Sequence, residues 1–198
     1  MDKLVIYVHG KGGNSLEAEH YKNAFKNYKV IGFDYKSETP WEAKKEFFDY
    51  FEKYQNKDLI IVANSFGAYL VLNSLNSVNL QKAFFISPVV DMETLILTML
   101  KQNNITENEL KSKKEIVLNS GEKLSWEYLS YVRTNPIIWN KKTYIIYGEN
   151  DFITPKNIIK SFAKKIKSKL KIIKNGNHWF HTKEDMDSID NWIRENLL

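Results

Sequence analysis

The stretch Leu59-Ile60-Ile61-Val62-Ala63-Asn64-Ser65-Phe66-Gly67-Ala68-Tyr69-Leu70 sets a serine between an apolar run that reads as a buried strand and one that continues as a helix. A turn that sharp strains the serine backbone and draws together the residues two before and two after it. Both flanks therefore need small side chains, and Ala63 and Gly67 supply them. The Ser65 hydroxyl is expected at the carboxyl end of a sheet, over a helix N-terminus, where N–H groups and the helix dipole favour a developing negative charge. A nucleophile attacking a carbonyl would be served by that placement, although a serine that merely caps a helix has the same local sequence. The chain has no cysteine, which excludes a thiolate nucleophile, a disulfide framework and Cys-ligated zinc or iron–sulfur sites. Covalent catalysis must use another side chain.

Two further polar residues follow apolar runs in the same way. Asp151 comes after the run 143–147, within Gly148-Glu149-Asn150-Asp151-Phe152-Ile153-Thr154-Pro155, where a carboxylate could equally cap the Pro-started helix that follows. His178 comes after the run 170–173, within Asn175-Gly176-Asn177-His178-Trp179-Phe180-His181, and His181 is the second choice for a functional histidine there.

The elements that must position these residues are legible from periodicity. The run 4–8 is short, apolar and rich in β-branched residues, as suits a strand covered on both faces of a parallel sheet. It ends in His9-Gly10-Lys11-Gly12-Gly13-Asn14, whose glycines match neither the dinucleotide nor the P-loop pattern. Asn14-Ser15-Leu16-Glu17 has the form of a capping box, and Ala18, Tyr21, Phe25 and Tyr28 recur at helical spacing after it, with His20 expected on the exposed side. Lys29–Phe33 reads as the second strand. Thr39-Pro40-Trp41-Glu42 opens a helix whose aromatic stripe, Phe47, Phe48, Phe51 and Tyr54, belongs in a core. The run 58–62 is the third strand, the helix after Ser65 is apolar nearly all round and so should be the most buried, and Lys82–Ile86 is the fourth strand. With strands at 143–147 and 170–173 and a last helix running to Leu198, the alternation predicts an α/β fold with a doubly wound, mostly parallel six-stranded sheet. Right-handed crossovers then gather every loop at a strand's carboxyl end on one edge, where Ser65, Asp151 and His178 can converge.

After Ser87-Pro88 the rhythm breaks. Helices are expected at 91–103, from a Thr106/Glu109 cap onward and at 125–134, with a turn at Ser120-Gly121. Neither end has linker composition, so 1–198 reads as a single domain with an insertion at about 91–140. A chain of 198 residues that is 43% hydrophobic can bury one sizeable core. The net charge of +5 does not point to nucleic acid. Lys156, Lys160, Lys164, Lys165, Lys167, Lys169, Lys171 and Lys174 alternate with Ile158, Ile159, Phe162, Ala163 and Ile166 as the wet face of an amphipathic helix, and no nucleic-acid motif accompanies them. The segment from Met1 has an apolar run too short for a secretory signal, and no stretch approaches the roughly 18 to 20 apolar residues of a membrane span. A soluble cytoplasmic protein is expected, with neither nucleic acid nor membrane as partner.

Ala63-x-Ser65-x-Gly67 after a strand resembles the nucleophile elbow of the α/β-hydrolase family, usually G-x-S-x-G, with alanine at its first glycine. His9-Gly10-Lys11 after the first strand is similar to that family's oxyanion loop, Gly148-x-x-Asp151 to its acid loop, and Gly176-x-His178 to its histidine loop, in the family's chain order. Glu149 is out of register with the acid. The resemblance spans the chain and implies an α/β-hydrolase fold lacking the two N-terminal strands, with the insertion as a helical cap lined for an apolar or acyl group. It also implies Ser65 as nucleophile, His178 as base, Asp151 as its partner, main-chain N–H groups of Lys11 and Phe66 as the oxyanion hole, and His9 as a brace for that loop. Each oxyanion donor in such a site is worth on the order of 3 kcal/mol in the transition state. The function implied is a serine hydrolase of the carboxylesterase type, cleaving a small-molecule ester or thioester through an acyl-enzyme and needing no cofactor and no metal. The same residues would serve an acyltransferase, an amidase or a carbon–carbon bond hydrolase, and a ligand-binding protein of this fold without turnover is the alternative outside catalysis.

Overall fold

The structure is a computed structural model and describes residues 3–197. The chain forms two compact units, one running up to Val90 and resuming at Ile138, the other Asp91–Ile137. In chain order the elements are β1 (Lys3–Val8), a 3-10 turn (Ser15–Glu17), α1 (Ala18–Tyr21), β2 (Lys29–Phe33), α2 (Pro40–Phe51) continuing into a 3-10 turn (Glu52–Tyr54), β3 (Asp58–Asn64), α3 (Ser65–Ser74) and β4 (Lys82–Ile86). The second unit holds α4 (Met92–Gln102), α5 (Glu107–Lys113), β5 (Glu115–Val117), β6 (Lys123–Ser125) and α6 (Trp126–Thr134), and the first resumes with β7 (Thr143–Gly148), α7 (Lys156–Lys165), β8 (Lys169–Ile173) and α8 (Lys183–Leu197). Leu198, the expected end of the last helix, and the segment Met1-Asp2 lie outside the described residues.

The large sheet is six-stranded in the order β2-β1-β3-β4-β7-β8, and every pair is parallel. The expected α/β class and strand count are therefore found. From β1 the chain goes to one side for β2 and to the other for β3, so the winding reverses there and opens a crevice outside the carboxyl ends of β1 and β3. The loop after β1 and Ser65 after β3 stand on that crevice.

The interior strands are apolar on both faces because both are covered: Val5, Ile6, Ile60, Ile61, Phe84 and Phe85 are fully buried. One core cluster joins Tyr7, Phe25, Phe84 and Tyr144 to Ile189, Trp192 and Ile193 of α8, with Trp192 meeting Phe84 edge to face at 5.4 Å. Elsewhere Phe33 of β2 packs on Phe47 and Phe51 of α2. Helix α2 begins as its sequence dictates, with Thr39 accepting the Glu42 N–H, Glu42 reaching back, and Pro40 in the first turn. Helix α3 buries every residue from Gly67 to Leu72. Lys82 on β4 closes α8 by donating to the carbonyl of Asn196 at 2.9 Å.

Several elements differ from their sequence patterns. The capping box at Asn14 is present, but the helix it opens lasts only to Tyr21 and gives way to tight turns such as Ala24 N–H to Tyr21 carbonyl at 3.1 Å. Asn23 and Asn27 are poor helix formers, and burial of Tyr21 and Phe25 is met without regular helix. Phe48 is exposed, since of that stripe α2 turns only Phe47 and Phe51 inward, on the face that also buries Pro40 and Ala43. The lysine series is divided: α7 stops at Lys165, leaving Lys169 and Lys171 on the edge strand β8, where charge discourages further strand pairing. His20 is not simply exposed, because its Nε2 lies 3.3 Å from Asp190 of α8.

The unit Asp91–Ile137 has the expected helices, each with its cap: Asp91 accepts from Thr94, Thr106 from Glu109 and Ser125 from Tyr128. It also contains a two-stranded antiparallel hairpin, β5 with β6, in which the expected turn places Gly121 at φ +86°. Arg133 of α6 bridges Glu93 of α4 and Glu107 of α5 at 2.6 and 2.8 Å and pulls the Glu107 carboxyl below the usual range. Among the described residues no helix is long and apolar enough to cross a membrane.

Truncating Phe47, which is fully buried, should lower the unfolding free energy by about 3–5 kcal/mol in denaturant titrations, whereas Phe48→Ala on the same helix should change it by less than about 0.5 kcal/mol.

Candidate active site

β3 passes into α3 with no connecting residue, and the bend is taken by Ser65, at φ +47°. That left-handed conformation costs a non-glycine residue on the order of 1–2 kcal/mol. The surroundings hold it there. A Cβ on Gly67 would lie 2.1 Å from the His9 carbonyl oxygen and 2.9 Å from that of Val8, so α3 crosses the end of β1 at a distance only glycine allows. Ala63, by contrast, is buried in β3 opposite Val8, so its methyl is accommodated where the family pattern has glycine. The Ser65 carbonyl accepts the Val89 N–H at 3.2 Å, tying the elbow to the segment after β4.

The other two loops are joined to each other by their backbones. A Cβ on Gly148 would fall 2.2 Å from the Asn177 carbonyl oxygen, while the N–H groups of Glu149 and Asn150 donate to the carbonyls of Ile173 and Gly176 at 2.9 and 2.8 Å. This contact brings Asp151 to His178. Asp151 Oδ1 accepts the N–H groups of Ile153 and Thr154 at 2.8 and 3.1 Å, leaving Oδ2 to face His178 Nδ1 at 2.7 Å. Tyr147 donates to the Thr154 carbonyl at 2.7 Å, and the Thr154 hydroxyl to that of Pro88 at 3.0 Å. Burial and the neighbouring Asp151 carboxylate push the Tyr147 phenol up to about 12, so it stays protonated as a donor.

His178 Nε2 lies 2.8 Å from Ser65 Oγ. An ionised carboxylate only accepts, so Asp151 requires the proton on Nδ1 and leaves Nε2 as the acceptor for the serine hydroxyl. The imidazole and the Asp151 side chain are 1% and 0% exposed, which shields the charge pair that would form when His178 takes a proton. The structure thus brings Ser65, Asp151 and His178 together at the carboxyl edge of the sheet. Glu149 instead pairs with Lys156 at 2.8 Å, and that partner, with the Asn175 N–H, holds its carboxyl below the usual range. His181 is exposed and its Nδ1 lies 3.0 Å from the Trp179 carbonyl, whereas it is His178 that meets the serine hydroxyl.

Lys11 lies in the turn after β1, where a Cβ on the preceding Gly10 would stand 3.4 Å from that of Ser65. Phe66 is the second residue of α3, and its N–H is among the first four of a helix, which have no partner within it. His9 is buried, stacks on Tyr35 at 4.3 Å, and donates from Nδ1 to the Gly10 carbonyl at 2.8 Å, as its expected bracing role requires. A support that the sequence did not disclose is Tyr7. Its hydroxyl donates to Glu17 at 2.5 Å, and Asn64, beside the nucleophile, bonds to the same phenol. Glu17 also takes the Asn14 N–H at 3.1 Å, so one carboxylate ties the loop after β1 to Tyr7 of that strand. Only the capping-box spacing at Glu17 gave a hint of it. Among the described residues no group of three or more His, Cys, Asp or Glu side chains could hold a metal ion.

No family model and no curated protein matches the sequence. Solved structures do match in three dimensions. Alpha/beta hydrolase domain-containing protein 10 from mouse superposes with a TM-score of 0.78 at 18% identity, covering 98% of this chain and 89% of that one. Est1E from Butyrivibrio proteoclasticus gives 0.72 at 19%, covering 99% and 87%, and the thioesterase domain from the curacin biosynthetic pathway gives 0.61 at 12%, covering 97% and 91%. The chain has the α/β-hydrolase fold, here with a six-stranded sheet.

Gly67→Ala should lower stability by about 3 kcal/mol or more, read as a fall in denaturant midpoint, because backbone must move to admit the methyl. Ala63→Gly, which restores the family pattern, should cost only about 1 kcal/mol.

Proposed function

We propose that the protein is a serine hydrolase cleaving a small-molecule carboxylic ester or thioester. The observation that carries this reading is the hydrogen-bonded series Ser65 Oγ, His178 Nε2, His178 Nδ1, Asp151 Oδ2, at 2.8 and 2.7 Å. His178 removes the hydroxyl proton as Ser65 Oγ attacks the carbonyl carbon, and Asp151 keeps the imidazole in the required tautomer and stabilises its cation. The oxyanion is received by the main-chain N–H groups of Phe66 and Lys11, at a helix N-terminus and in the glycine-rich loop beside it. His178 then protonates the leaving oxygen or sulfur. Water, activated by the same imidazole, attacks the acyl-enzyme, and the acid leaves as Ser65 regains its proton. No metal or cofactor enters these steps. An esterase-type activity is also in keeping with the thioesterase domain among the solved structures of this fold.

With p-nitrophenyl acetate, a burst of nitrophenol equal to the enzyme concentration should precede steady turnover. Ser65→Ala and His178→Ala should each lower kcat about 10^4-fold or more, and the double variant should be no worse than either. Asp151→Asn, which offers a donor where an acceptor is needed, should cost about 10^3- to 10^4-fold. Independent, additive losses, or turnover that survives Ser65→Ala, would contradict the assignment.

A further inference from the structure

Phe152 and Trp179 directly follow the two loop residues of the relay. They are 69% and 61% exposed, whereas Asp151 and His178 beside them are 8% and 1% exposed. The two rings meet edge to face with centroids 5.9 Å apart, and they stand 6.3 and 6.1 Å from the His178 ring. Their backbones are held. The N–H of Ile153, just after Phe152, is bound by Asp151, whose own N–H donates to the Gly148 carbonyl at 3.0 Å, and the Trp179 carbonyl faces His181 Nδ1 at 3.0 Å. A fixed pair of aromatic faces kept in water sheds unfavourable hydration when it meets an apolar group. The charged side chains of the Asp151 loop, Glu149 and Lys156, are paired with each other, so ionic recognition is not what that loop presents.

The reaction identifies which part of a substrate would lie there. During acylation the bond from Ser65 Oγ to the carbonyl carbon forms, the bond from that carbon to the leaving oxygen or sulfur breaks, and the serine proton passes through His178 Nε2 to the leaving atom. That atom must come within about 3 Å of Nε2, so its substituent is the part of the substrate adjoining the imidazole. Phe152 and Trp179 flank the imidazole. Resting on the proposed serine-hydrolase reading, we infer that these two residues form an apolar leaving-group subsite, and that the enzyme acts on esters or thioesters of a bulky alkyl or aryl alcohol or thiol in preference to small or charged ones.

The test compares methyl acetate, hexyl acetate and methyl hexanoate in the wild type, in Phe152→Ala/Trp179→Ala and in the conservative pair Phe152→Leu/Trp179→Phe. The ratio of kcat/KM for hexyl over methyl acetate should fall about tenfold in the alanine pair and recover in large part in the conservative pair, which also guards against a folding defect. The ratio of methyl hexanoate to methyl acetate should hold within about twofold. A fall in that second ratio instead would place the pair on the acyl side and overturn the inference. So would unmoved ratios accompanied by loss of a dimer in sedimentation, which would make the pair a contact between copies. Turnover by the wild type with both ratios and the oligomeric state unmoved would overturn the subsite and leave the serine mechanism standing, whereas a wild type that hydrolyses none of the three would overturn both.

Discussion

The close crossing of α3 over the end of β1 constrains everything else at the sheet's carboxyl edge. Gly67 meets the His9 carbonyl where no Cβ could fit, and this contact fixes the distance between the elbow and the loop that follows β1. Because α3 starts at that point without a connecting residue, Ser65 must take up a left-handed backbone, at a cost of about 1–2 kcal/mol. Burial of α3 from Gly67 to Leu72 offsets this strain many times over. A hydroxyl is thereby held clear of the strand, over a helix N-terminus, and cannot relax into an ordinary cap.

The histidine and the aspartate reach that hydroxyl through a second close contact of the same kind. Gly148 and the 176–177 backbone touch, so the loops after β7 and β8 behave as one piece, and Asp151 spends one carboxylate oxygen on its own loop and the other on His178. Positioning precedes chemistry here. Residues far apart in sequence meet because parallel strands deliver their carboxyl ends to one edge, and small residues let the connecting backbones approach.

Much of this was legible in the sequence because the local signals agreed with the fold. The Thr39-Pro40-Trp41-Glu42 start, the strands Lys29–Phe33 and Lys82–Ile86, and the apolar helix after Ser65 follow from capping, proline placement and unbroken apolar runs. Strand alternation alone is enough to put Ser65, Asp151 and His178 on one edge of the sheet. What stayed hidden depends on tertiary partners. Helical spacing from Ala18 to Tyr28 reflects burial of Tyr21 and Phe25, which turns satisfy as well as a helix does. An aromatic at position 48 falls on the stripe by eye but outside the arc that α2 buries. The Tyr7 to Glu17 bond and the approach of His20 to Asp190 join elements whose pairing no spacing rule predicts, and the β5–β6 hairpin is too short for strand periodicity to register.

The central claim is that Ser65 is a nucleophile activated by His178, and covalent labelling tests it most directly. Intact-mass measurement after exposure to a fluorophosphonate should show one adduct on the wild type, mapped to the peptide carrying Ser65, and none on Ser65→Ala. An unlabelled wild type, or an adduct that persists in the variant, would contradict the account.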